Sequence, residues 1–432
     1  MSLRIYTLIV ITIILTLGNN ALAQDVGRDS LELEGQLAYV GDDFNIYTLD
    51  LVTSNINQLT RDGTRRAKYE YPTWSVDGQL AYFCCDARGF RSPQLSVYLS
   101  ADGISEGVKY YDQDGERHIY AYWSPVTCDI ENCVDLAVLI QDPSQSQLKV
   151  EMFNSQNRQS GQRSLGNGLP FYYSWSPSGE SLLLHRNNDL LEYYSISSTE
   201  VVNAFNEPLG MFLSPSWSPT DDRILFASLS DADNSQLTLL DGGNLQILAD
   251  DLQGVISFSW SPNGEFVAYR VANTNSVSSI YVVDPVSGET IARSNVSGVL
   301  SFFWSPDSSK IAYLTLSNPP GTFDINNQTT GNVAALTQID DGFAWNILNI
   351  DDSSNILLNS FIPTASMQYL FTNFDQFAQS HNLWSPDSTH IVYGERTSLD
   401  SRESMITIVD VDDPNIDPFS VIEGTFAVWS YK

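Results

Sequence analysis

Basic residues are scarce in this chain of 432 residues: 21 Lys plus Arg stand against 52 Asp plus Glu, a formal net charge of −31. So acidic a surface repels nucleic acid and anionic membranes, and neither is expected as a partner. Most of the charge serves solubility. Histidine is scarcer still. His118, His185, His381 and His390 are scattered through the sequence without metal-ligand spacing, which predicts structural or surface roles. Beyond residue 23 there is no helical periodicity longer than a turn or two, and no apolar run long enough to cross a bilayer. Catalytic motifs are nearly absent. Gly103-Ile104-Ser105-Glu106-Gly107 matches G-x-S-x-G, but it falls in an expected hairpin loop. A nucleophile elbow needs a strand before the serine and a helix after it. The acidic runs Asp112-Gln113-Asp114-Gly115-Glu116 and Asp410-Val411-Asp412-Asp413 could hold Ca²⁺, yet neither has the ligand spacing of an EF-hand. No catalytic residue, metal or cofactor is expected.

What the chain does have is a repeat. It contains nine tryptophans: Trp74, Trp123, Trp175, Trp217, Trp260, Trp304, Trp345, Trp384 and Trp429, at intervals of 39 to 52 residues. Eight of the nine precede Ser and six continue as Trp-Ser-Pro; Trp345 is followed by Asn346. A second series of nine short apolar runs accompanies them. It includes Gln36-Leu37-Ala38-Tyr39, Gln79-Leu80-Ala81-Tyr82, Lys310-Ile311-Ala312-Tyr313 and Asn355-Ile356-Leu357-Leu358. A repeat of this length, with turn residues after each tryptophan and β-branched and aromatic residues in the runs, predicts one four-stranded blade per unit. The fold class is therefore all-β, a closed β-propeller of nine blades or alternatively eight. The two series are out of phase. The first apolar run has no tryptophan before it, and Trp429 has no apolar run after it. That offset predicts a ring closed by pairing of the N- and C-terminal strands, which removes unpaired edges. The tryptophans are expected to fill the wedges between blades, each with its N–H seeking an acceptor.

The Trp-Ser-Pro-Asp/Asn-Gly-x-x-Ile-Ala-Tyr units resemble the WD40-like repeats of TolB-type propellers of bacterial exported proteins. The resemblance runs from about residue 35 to 432 and implies a propeller, with binding rather than catalysis as its role. The chain departs from that family in having material for eight or nine blades where six are usual. It also leaves no room for the family's N-terminal α/β domain, and Ser-Pro is missing after Trp345.

Residues 1–23 read as a signal peptide. Arg4 supplies the positive region, Ile5 to Leu17 is uncharged, and Ala21-Leu22-Ala23 is a cleavage site of small residues. An uncleaved N-terminal anchor is the alternative. A linker over 24–34 and a single propeller over 35–432 follow. The destination is periplasmic or extracellular. Export suits the four cysteines. Cys128 and Cys133 flank four residues and are expected to close a surface hairpin as a disulfide, with zinc binding the competing reading. Cys84 and Cys85 are adjacent and could join only through a strained ring.

Two functions fit such a chain. The first is a monomeric, non-enzymatic scaffold in the cell envelope that holds a protein or peptide partner. The alternative is a hydrolase or lyase acting on a carbohydrate or lactone at the central channel. The positions before the tryptophans hold no regular acidic residue, which favours the scaffold. The partner-binding residues are expected on the loops that enter the innermost strands: Tyr69, Tyr71, His118, Tyr120, Phe171 and Tyr172. Tyrosine offers large contact area with few rotors. Side-chain alternation along the strand predicts that about half of such residues pack inward instead.

Overall fold

The structure is a computed structural model that describes residues 33–86, 94–127, 134–156, 162–317 and 342–432. Leu33–Lys432 forms the compact unit. Cys128 and Cys133 lie outside the described residues, as does the N-terminal segment.

Eight antiparallel sheets make eight blades. Seven have four strands. The innermost strands of blades 2 to 7 are Ala67–Trp74, Arg117–Trp123, Phe171–Trp175, Ser216–Trp217, Val255–Trp260 and Ser301–Trp304. In blade 8 the innermost strand shrinks to a single bridge, Trp384 to Ile391. Blade 1 is the closure. Phe426–Trp429 supplies its innermost strand and pairs antiparallel with Gln36–Val40, in the register Leu37 to Trp429 through Val40 to Phe426. The expected closure by the two ends of the chain is thus what forms.

The blade count is eight rather than nine, and Trp345 explains the difference. It sits in Phe343–Asn349, the third strand of blade 7, and the run beginning at Asn355 is that blade's fourth strand. Trp345 is fully buried against Phe361, Phe371 and Tyr393. Its missing Ser-Pro follows from its position, because no tight turn succeeds it. The strand runs on through Asn346 to Asn349.

The repeated serine has a defined task in the first turn of five blades. The backbone N–H of Gln79, Ser181, Phe266, Lys310 and His390 donates to Ser75, Ser176, Ser261, Ser305 and Ser385 Oγ, at 2.8–3.0 Å. Ser75, Ser305 and Ser385 donate in turn to Asp77, Asp307 and Asp387. A local side-chain bond thereby satisfies backbone that the turn takes out of the ladder. Three of the tryptophans stitch blade to blade, whereas the expected acceptor is missing for Trp74, Trp217, Trp260, Trp304 and Trp345, whose Nε1 atoms are buried without a partner. Trp123 Nε1 donates to Thr73 O, Trp175 Nε1 to Tyr122 O and Trp384 Nε1 to Phe303 O, at 3.0–3.1 Å. In each case the acceptor immediately precedes the tryptophan of the previous blade.

Between blades 7 and 8 the chain departs from the repeat and enters the axis of the ring. Two short helices form there, α1 (Ala365–Thr372) and α2 (Phe374–Phe377). Thr364 caps α1 by accepting from Met367 N–H at 3.2 Å. Met367, Leu370, Phe371, Phe374 and Phe377 are all buried, so the inner ends of the blades close on a hydrophobic plug.

Candidate functional site

The plug decides where a site can be. α2 and the residues after it are held by several blades at once. Thr73 Oγ1 donates to Ser380 O at 2.7 Å, and Ser174 Oγ donates to Gln379 Oε1 at 3.0 Å. Gln379 Nε2 donates to Ser214 Oγ at 3.2 Å. Asp375 is half-buried near Arg270, which is buried and whose guanidinium lies 4.8 Å from the centre of the Phe374 ring. Burial pushes the Asp375 carboxyl up from its ordinary range, opposed by the Arg270 charge and a hydrogen bond from Ser257. The same burial lowers the Arg270 pKa.

Most of the residues singled out from the sequence grip this plug or the core. Tyr69, Tyr120 and Phe171 are buried, and Tyr71, His118 and Tyr172 are half-buried. Tyr71 packs on Tyr369 and Phe377, with ring centres 5.6 and 5.8 Å apart, and Tyr120 packs on Phe377 at 5.5 Å. His118 stacks on Phe83 at 3.8 Å, and neither of its ring nitrogens has a hydrogen-bond partner in the protein. Burial, with His381 nearby, holds its pKa well below the usual histidine value. Tyr69 turns between strands to Tyr82 and Tyr98 and donates to Asp62 at 2.8 Å. Phe171 lies beneath Arg186, and Tyr172 stacks on His185 at 6.0 Å. The sequence offered these six as a docking face. The structure brings two of them, Tyr71 and Tyr120, against a segment of the same chain, because the inner faces of the strands look onto the filled axis.

The other motifs resolve locally. Ser105 of the G-x-S-x-G match lies in the turn between Gln94–Ser100 and Val108–Asp114 and donates to Asp102 at 2.7 Å. Gly103 has φ +64°, and a Cβ there would come 2.3 Å from the Trp74 ring, so this glycine lets the turn lie on the indole. Among the described residues no group of three or more His, Cys, Asp and Glu could hold a metal ion. Asp112 is tied to Lys109 and Ser96, Glu116 to Tyr111 and Lys149. Cys84 is buried on Leu80–Asp86. Among the described residues no helix is long and apolar enough to cross a membrane.

A concave feature on the axis lies at the opposite end of the innermost strands, where they finish in tryptophan. It is a cavity of about 400 Å³. Its floor is the top of the plug, from Phe374 and Asp375 to Gln379, His381 and Leu383. Its wall is a ring of indoles from blades 2 to 8, and its rim carries Val76, Pro177, Pro219, Pro262 and Pro306 from the first turns. Pro219, Pro262 and Pro306 are exposed. His381 is buried in the floor with Nδ1 2.6 Å from Ser380 Oγ, and burial pulls its pKa down to about 3, so it is neutral. The result is a blind funnel of aromatic and proline surface over a floor of mostly neutral groups. Sequence reasoning favours packing for the tryptophans over a ring that stacks on a ligand. They do pack, and their inner edges also build the funnel. The signal was present in Trp-Ser-Pro itself, since the first turns of a propeller share one end of the axis.

No family description matches this sequence, and no curated protein matches it. Solved structures do resemble its fold. A eukaryotic initiation factor has 9% identity over 93% of this chain and 99% of that one, with a TM-score of 0.51. Dihydro-heme d1 dehydrogenase NirN, in complex with DHE, has 11% identity over 92% and 75%, with a TM-score of 0.52. TolB from Acinetobacter baumannii has 13% identity over 82% and 83%, with a TM-score of 0.39. At such identities the likeness is one of propeller fold, and that to TolB is distant.

Proposed function

We propose that this chain is an exported, non-enzymatic binding propeller whose ligand site is the tryptophan-walled funnel. The observation that carries the reading is the plug. A propeller enzyme of the kind considered from the sequence would work at an open axial channel, with carboxylates or histidines converging from several blades. Here the chain's own Phe371, Phe374 and Phe377 fill that space. The acid in the floor, Asp375, lies near the Arg270 charge, which opposes the rise that burial causes without cancelling it. What lines the funnel is the edges of largely buried indoles, with Trp217 and Trp304 half-buried, beneath exposed Pro219, Pro262 and Pro306, an apolar surface suited to holding a partner's side chain. Export rests on residues 1–23 as read from the sequence.

The test is site-specific photo-crosslinking in the native host. A photoreactive residue replaces Pro262 on the funnel rim, or Asp189 on a turn at the other end as comparison. Crosslinks to a polypeptide from 262 and not from 189 are the expected result. Turnover of an oligosaccharide or lactone by the purified chain, with no funnel crosslink, would replace this reading with the enzymatic one.

A further inference from the structure

The funnel has a chemistry of its own. Its wall is apolar, but the first turns that carry the wall also carry a collar of acids. Asp77 follows Val76, and Asp307 follows Pro306. Glu180, Asp222 and Glu265 come three residues after Pro177, Pro219 and Pro262, and Asp387 completes the series in blade 8. Six blades thus each carry a carboxylate in the turn that borders the funnel, outside its lining; Asp77, Asp307 and Asp387 also accept from serines of their own turns. Asp77 is half-buried and the other five are exposed. Among the described residues, the first turns of blades 2 to 8 bring two Lys or Arg to this end, Arg223 and Lys310. Both are spoken for, by Asp221 at 2.8 Å and Asp412 at 3.1 Å. Arg223 also lies 4.7 Å from the centre of the Trp260 ring, so a guanidinium is already seated on one of the funnel's indoles.

A carboxylate collar around an apolar pit with low-dielectric walls focuses negative potential at the mouth. An anionic ligand is repelled, and a neutral apolar one gains nothing from the collar. A polypeptide segment that is basic along its length and carries a large apolar side chain satisfies both parts. The apolar side chain enters the pit, while lysine or arginine on either side reaches the collar. We propose that the funnel recognises a basic polypeptide segment anchored by such a side chain. This rests on the reading of the funnel as the ligand site and adds what the site selects.

The experiment measures binding of the full chain to a fluorescent synthetic peptide of lysine and leucine. Two comparators replace its lysines by glutamate or its leucines by serine. The lysine–leucine peptide is expected to bind, with affinity falling as salt rises. The glutamate peptide is expected not to bind, and the serine peptide to bind at least about tenfold more weakly, since burial of one leucine is worth that much. Neutralising the collar with Glu180→Gln, Asp222→Asn and Glu265→Gln, or reversing the rim with Pro219→Lys and Pro262→Lys, should weaken binding about tenfold or more. All five positions are exposed, so folding is expected to survive, and a melting curve verifies it. A matched triple at the other end, Asp114→Asn, Asp189→Asn and Asp231→Asn, should leave affinity unchanged. Equal binding of the glutamate peptide overturns the proposal, as does equal loss from the matched triple or absence of any binding. If crosslinks from position 262 still reach a polypeptide in that event, the funnel remains the site and only its preference for basic segments falls.

Discussion

Phe377 shows what one side chain does here. It is fully buried at the end of α2 and meets Tyr71, Tyr120, Tyr369 and His381. It therefore joins the plug to blades 2 and 3. Truncating it leaves a cavity between rigid elements that cannot collapse. Phe377→Ala should cost about 3 to 5 kcal/mol, read as a lower urea midpoint. A midpoint unchanged from the parent would mean that the plug packs loosely. Residues of this kind were partly legible in the sequence. The alternation of Tyr69, Tyr71, His118, Tyr120, Phe171 and Tyr172 announced that some would face inward. What they would face was not, because the repeats contain no sign of an element on the axis.

At the level of elements, two departures from the repeat matter most. Met367, Leu370 and Phe371 share the spacing of one helix face within the turn or two that α1 spans, and Phe374 and Phe377 repeat it in the single turn of α2. That pattern is short, and only the ring around it gives it something to pack against. An isolated helix of this length is unstable in water. The second is Phe426–Trp429, which closes blade 1. Trp429 is fully buried, its Nε1 donates to Glu34 O at 2.9 Å, and Ser430 N–H donates to Gln36 O at 2.8 Å. Deleting residues 427–432 removes this strand and exposes the edge of Gln36–Val40. The truncated chain should melt far below the parent or fail to fold. Melting within a degree or two of the parent would show that the ring holds without its clasp.

Acid should destabilise the whole molecule. Burial lowers the pKa of all four histidines, His118, His185, His381 and His390. A neutral buried histidine takes up its proton more readily when unfolded, so the unfolded state gains protons as pH falls through about 6.5. Stability is full above that value and declines towards the folded value of about 3 for His381. Below about pH 4 the turn carboxylates add to the loss. Asp102, held at about 2 mainly by hydrogen bonds that outweigh its burial, gives up its stabilisation there. Burial raises the pKa of Glu70, Asp135, Asp375 and Glu395, which works in the opposite sense. With four lowered histidines against them, melting temperature should on balance drop from pH 7 to pH 4, and by less in a His381→Gln variant. Equal pH profiles for the parent and that variant would mean that the His381 ring contributes nothing to the acid loss. The sequence makes two further predictions for the mature protein: an N-terminus at Gln24, checked by N-terminal sequencing, and a Cys128–Cys133 bond, checked by mass mapping without reduction.

Repeat length, turn chemistry and the phase of the two motif series determined the all-β propeller and its closure, because each blade is specified by its own local pattern. The blade count needed more. Trp345 satisfies the spacing, and only strand pairing shows it to be a third strand in an enlarged blade 7. The site needed most of all. The funnel exists because seven first turns converge on one end of the axis, and it is blind because a segment without any repeat signal folds back into the ring. Both are relations between residues far apart in the chain, fixed by closure of the ring and not by any local pattern.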